Sequence, residues 1–249
     1  MPSTLGIVAS GKPSISIPPG ELVLNTSMLI VDSVNLSGQL IPNSGTATGL
    51  LTAQLGSTSG VDTNDPTVNL DGTLSFTGAQ YLVVHDDAVL NVGSFTVTIM
   101  YRSNTPPSIN YPAVVSRIRA DYGYPGWAIL EKPAGNTGIS WAYFASGTSS
   151  EKVVSVPSHH DSLWYVRTIV FDVDAARMYF YDNGVSVGTP TNTASDANYN
   201  APGYDIMVHG TVAGGYVGDI DFRMLAMKDY AASPTDILNE ATYLLTLVD

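Results

Sequence analysis

The chain has no cysteine, only ten basic residues and only four glutamates. The missing thiol excludes a disulfide framework, a cysteine-ligated zinc ribbon and thiol catalysis. Against 22 acidic residues the ten basic ones leave a net charge of −12. A surface of that sign repels phosphate backbones and anionic lipid, so neither nucleic acid nor a membrane is an expected partner. It fits solubility, a basic partner surface or divalent cations. No apolar run reaches the roughly 20 residues of a membrane span. The opening residues, Met1 to Ser10, lack the basic start and apolar stretch of a signal peptide. The expectation is therefore a soluble product made in the cytoplasm, and the sequons at Asn25 and Asn35 count for little.

What is abundant points one way. Only 13% of residues are charged, 23 are Gly and 15 are Pro, and Ser, Thr and β-branched residues are frequent. Such a composition builds strands and turns. With 44% hydrophobic residues the chain is globular, and 249 residues suit one large sandwich domain. Residues 1–20 read as an N-terminal arm broken by Pro13, Pro18 and Pro19, and residues 21–249 as the single domain. Residues 21–31 read as the first strand. Residues 74–84 read as two paired runs broken by Gly78. Residues 94–102 alternate, with Phe95, Val97, Ile99 and Tyr101 on one face and Thr96, Thr98 and Arg102 on the other. Asn183-Gly184 marks a type I′ hairpin, since both residues of that turn need positive φ. One helix is expected near the end: Ser233 caps it, Pro234 starts it, Asp236 completes the cap, and Ile237, Leu238, Ala241, Leu244 and Leu245 form its stripe.

Five segments in order resemble the laminin-G-like branch of the concanavalin A-like lectin/glucanase superfamily. They are Phe76-Thr77-Gly78-Ala79-Gln80-Tyr81-Leu82-Val83-Val84, Asp86 to Leu90 followed by Gly93-Ser94-Phe95-Thr96-Val97, the run from Trp164 to Asp172, Met178-Tyr179-Phe180-Tyr181-Asp182-Asn183-Gly184-Val185, and Gly218-Asp219-Ile220-Asp221-Phe222-Arg223. The resemblance implies an all-β, two-sheet antiparallel jelly-roll sandwich with the arm before it and the helix after it. It also implies that calcium is held by some members. Asp86, Asp87 and Asp121 are the loop carboxylates that suit such an ion, although no cofactor is required.

Catalysis finds little purchase. Glycanases of this superfamily pair carboxylates about 5 Å apart on one strand. Glu21, Glu131, Glu151 and Glu240 have no such spacing, and Asp219-Ile220-Asp221 continues into Arg223, so those aspartates read as a strand's solvent face. Gly184-Val185-Ser186-Val187-Gly188 has the letters of a nucleophile elbow but follows a hairpin turn, without the strand-turn-helix setting. His159-His160-Asp161 reads as a polar loop, because neighbouring residues on extended chain point to opposite sides. His85 and His209 read as structural or surface residues.

The most ligand-like stretch runs from Arg119 to Trp127. Tyr122, Tyr124 and Trp127 offer rings to a sugar or a protein partner, and Asp121 offers a hydroxyl acceptor. Trp127 and Trp141 serve equally well as core. The opening Thr4-Leu5-Gly6-Ile7-Val8-Ala9-Ser10 resembles the start of many tailed-phage structural proteins. That resemblance implies a non-enzymatic capsid decoration or appendage at the virion surface, attached by its arm to a capsid or other virion protein. Such a protein is expected to be a homo-oligomer, with a cell-surface glycan as a further partner. A stand-alone lectin is the alternative, and a glycanase ranks third.

Overall fold

The computed structural model describes residues 18–47, 51–105, 113–118, 126–131, 139–145, 151–157, 159–193, 203–210 and 218–248. Residues 1–17 of the expected arm lie outside them. Two antiparallel sheets face one another as a jelly-roll sandwich. The first sheet runs β14 (Val185–Asn192), β13 (Arg177–Asp182), β12 (Tyr165–Asp172), β7 (Phe95–Ser103), β16 (Ile220–Lys228), β5 (Leu74–Phe76) and β4 (Thr67–Val68). A short strand, β1 (Leu29–Asp32), also pairs with β16. The second sheet runs β11 (Glu151–Pro157), β10 (Ile139–Ala145), β9 (Gly126–Leu130), β8 (Ala113–Arg117), β15 (Ile206–Val208), β6 (Leu82–Val84), β3 (Thr52–Leu55) and β2 (Leu40–Pro42).

The alternation in β7 has its expected consequence. Phe95, Val97, Ile99 and Tyr101 enter the inter-sheet core with Val115, Trp127, Ile129, Ile169 and Phe171. The opposite face is not open to water. Helix α2 (Pro234–Leu245) and the short α1 (Pro19–Leu24) cover it, and Ile30, Met100, Val166, Met224 and Ala226 pack against Leu24, Ala241 and Leu244. Thr96 and Thr98 are buried for that reason, as is a Lys228–Glu240 ion pair, whose Nζ also donates to Ser27 Oγ at 3.0 Å. Ser233 caps α2 by accepting from the Asp236 N–H. Asn183 and Gly184 turn at φ 48° and 80°, as a type I′ hairpin requires.

Two expectations are corrected. Residues 21–31 are not one strand: α1 comes first and β1 follows. Pro19 takes a first-turn position, where its missing N–H costs nothing, Glu21 faces the positive helix end, and Leu24 is buried. Residues 74–84 do not form a pair with itself. β5 and β6 lie in different sheets, and Gly78, at φ 57°, sits in the crossover between them.

Gly20 is the close-approach point of α1 on α2. A Cβ there would lie 2.1 Å from the Asn239 carbonyl oxygen and 2.5 Å from Tyr243 Cβ. Helix propensity alone favours Gly20→Ala by about 1 kcal/mol, but overpacking costs about 1–3 kcal/mol, and here the obstacle is backbone. The expected net result is a loss of about 1–2 kcal/mol, read as a lower thermal midpoint. An unchanged or higher midpoint would mean that α1 is not docked.

Candidate functional site

At one end of the first sheet, the pleat sends alternate residues to opposite sides. Outward-facing ones, beyond the C-terminal end of α2, line a cleft of about 240 Å³. Its polar and aromatic lining is Asp71, Thr73, Arg102, Trp164 and Arg223, and Leu247 and Val248 add an apolar wall. The Arg102 guanidinium lies over the Trp164 ring, 5.0 Å from its centroid, a cation–π arrangement. The β7–β16 register sets Arg102 directly opposite Asp221. Arg102 Nε donates to Asp221 Oδ2 at 2.6 Å, and Asp221 also accepts from Ser75 Oγ and from Asn104 Nδ2.

Arg223 is held by Asp32 at 2.5 Å, and Asp32 Oδ1 also accepts the Val34 N–H. Burial pushes the Asp32 carboxyl up, against the pull of Arg223. Asp71 has the opposite setting. Its Oδ1 accepts from Thr73 Oγ1 at 2.7 Å and from the Thr73 N–H at 3.0 Å, and these bonds hold its carboxyl below the usual range. It therefore stays ionised in neutral and mildly acidic solution. The cleft thus carries guanidinium donors, a carboxylate acceptor, an aromatic edge and an apolar wall.

Inward-facing neighbours of the same residues form an ion network between the sheets. Glu131, just past β9, accepts from Tyr101 Oη and from Arg167 Nη1, the latter at 2.6 Å. All three residues are at most 2% exposed. Burial pushes the Tyr101 hydroxyl well up, so it remains a donor. Nearby, His160 Nδ1 lies 2.8 Å from Ser103 Oγ, while His159 Nε2 lies 2.7 Å from Asp182 Oδ2. The His159 ring stacks on Tyr165 at 3.8 Å. Tyr165 donates to Asp161, and burial, followed by that bond, pushes its hydroxyl up to about 12. The two histidines thus take different partners, as extended chain dictates.

Of the residues singled out in sequence, Asp121, Tyr122 and Tyr124 lie outside the described residues. Trp127 is corrected as a ligand contact: it is 0% exposed and packs 6.1 Å from Phe95 in the core. Asp86 and Asp87 take separate partners. Asp86 Oδ1 pairs with the buried Arg117 and its Oδ2 accepts the Gly203 N–H, whereas Asp87 Oδ1 caps a turn at Val89. No group of three or more His, Asp or Glu converges among the described residues. Asp221 is corrected as a solvent-face residue, being 4% exposed beneath Arg102. Ser186 lies within β14, which continues as strand to Asn192, and so not on a strand-turn-helix elbow. His209 is fully buried between the Gln80 and Gly218 carbonyls, and His85 pairs with Asp205 at the surface.

The fold is similar to that of neurotoxin binding domains. The botulinum neurotoxin serotype G binding domain superposes with a TM-score of 0.68 at 13% identity, over 88% of this chain and 51% of that one. A structure of botulinum neurotoxin type C, whose passage into cells depends on interaction with two ganglioside molecules, gives 0.67 at 10%, over 90% and 52%. The binding domain of Paraclostridial Mosquitocidal Protein 1 gives 0.64 at 12%, over 89% and 53%. The chain therefore spans about half the length of each. Identities this low carry the concanavalin-like sandwich and nothing about ligands. No family model and no curated protein sequence matches the chain. Nothing in these likenesses supports the virion setting implied by residues 4–10.

The cleft escaped sequence reading because its parts come from five separated segments. One signal was available: Arg102 and Asp221 sit on two readable strands whose pairing makes them cross-strand partners.

Proposed function

We propose that the chain is a non-enzymatic binding module that takes a carbohydrate in the Arg102–Trp164 cleft. The observation that carries the reading is the convergence of that stacked pair with the Asp71 carboxylate and an apolar wall. Sugars present hydroxyls that both donate and accept, on rings whose C–H faces need apolar contact. The fold is compatible with such a role, since the structures it resembles are binding domains, one of them tied to gangliosides. The widely spaced glutamates favour binding over turnover. The virion role and the calcium ligands Asp86, Asp87 and Asp121 remain further proposals, to be tested by capsid co-sedimentation and calcium titration.

A glycan array run with and without calcium tests the main reading. Binding is expected, and Trp164→Ala is expected to weaken it at least tenfold per folded molecule, alongside a lower thermal midpoint because the ring also packs against the apolar cluster under α2. A blank array in both conditions would overturn the reading, as would turnover of a bound polysaccharide.

A further inference from the structure

We infer that this cleft selects a neutral pyranose over a carboxylate-bearing one. The inference rests on the carbohydrate reading and adds its ligand class. Each guanidinium already has a carboxylate: Asp221 holds Arg102 through Nε, and Asp32 holds Arg223 through Nη1. Counting Asp71, three carboxylates face two guanidiniums, and the whole chain adds a net charge of −12. A ligand carboxylate would enter a negative field and compete with protein carboxylates for both cations.

Hydroxyls meet no such conflict. The terminal amino groups of Arg102 have no acceptor among the described residues, so they can donate into the cleft. Asp71 spends Oδ1 on Thr73 and leaves Oδ2 to accept. A donor and an acceptor side by side match vicinal hydroxyls, each of which can do both. Leu247 and Val248 supply the surface for the ring's C–H face. At about 240 Å³ the cleft is smaller than the roughly 300–1,000 Å³ of sites for drug-sized ligands, a size suited to one ring.

The test is ligand-observed NMR and calorimetry on the whole chain. The probes are methyl glycosides of glucose, galactose, mannose and N-acetylglucosamine, set against the methyl glycoside of N-acetylneuraminic acid. At least one neutral glycoside should bind ten or more times tighter than the acidic one. Asp71→Asn should weaken the neutral ligand about fivefold and narrow the gap to the acidic ligand, and Trp164→Ala should weaken both. Tighter binding of the acidic glycoside, lost in Trp164→Ala, would overturn the selectivity and leave the carbohydrate reading standing. Neutral binding untouched by both variants would overturn the assignment to this cleft. Silence from every glycoside, on a correctly folded protein, would remove the carbohydrate reading and this inference together.

Discussion

Arg167→Met should unfold roughly 6–20 °C below the parent protein, corresponding to a loss of about 3–5 kcal/mol. Arg167 is fully buried on β12, and its guanidinium lies 2.6 Å from a Glu131 that is 1% exposed. It also lies 5.5 Å from the Tyr101 ring and 6.0 Å from that of Phe180, so Met fills similar space among aromatics. Packing is therefore nearly conserved, and the loss comes from stranding the Glu131 carboxylate between the sheets. Little water reaches it, and it keeps the Tyr101 hydroxyl, with His160 Nε2 3.9 Å away, but not the guanidinium that balances its charge.

The double variant Arg167→Met with Glu131→Met separates charge from shape. With both ions gone, stability should recover in large part, because replacing a buried pair with apolar groups is often neutral. Recovery should stop short of complete, since the Tyr101 hydroxyl then lacks its acceptor, at about 1–3 kcal/mol. Adding Tyr101→Phe should return most of that remainder. Urea midpoints at constant m-value give the ranking. A single variant as stable as the parent would show that the network is not sealed.

The sandwich was legible in sequence because its signals are local. The alternation of Phe95, Val97, Ile99 and Tyr101, the Asn183-Gly184 turn and the Ser233-Pro234-Asp236 cap each express a backbone requirement within a few residues. Where the reading failed, a distant element decided. Thr96, placed on the face opposite Phe95, is buried because the segment leading into α2, later in sequence, covers it, with Thr96 Oγ1 donating to the Tyr230 carbonyl and accepting the Ala232 N–H. Glu240 looks like the polar side of a helix until Lys228 draws it inward. Pro18-Pro19 reads as an interruption of pairing, yet proline is at home in a first helical turn, and α1 finds what it packs against, α2 and the outer face of the first sheet, only in the fold. The cleft is the extreme case. Asp71, Arg102, Trp164 and Arg223 share no linear spacing, and their meeting depends on strand order in the first sheet.

Trp127→Ala is expected to cost about 3–5 kcal/mol and to leave glycan binding per folded molecule unchanged. In sequence, Trp127 closes an aromatic loop and serves equally as a sugar platform or as core; in the fold its side chain is 0% exposed, beside Phe95 in the core between the two sheets. Truncation opens a cavity between sheets that many strands hold at a fixed spacing, so little collapse can offset it. Trp127→Phe should be much milder than the lost volume suggests. The indole Nε1 is buried without a hydrogen-bond partner among the described residues, and deleting it removes a desolvation penalty of about 1–3 kcal/mol. Phe then keeps the tilted contact with Phe95 and loses only part of the packing. Thermal midpoints and glycan titrations on the same samples distinguish the two roles. A Trp127→Ala protein with a normal midpoint and abolished binding would place the residue at a ligand surface, and the core position assigned to it would be wrong.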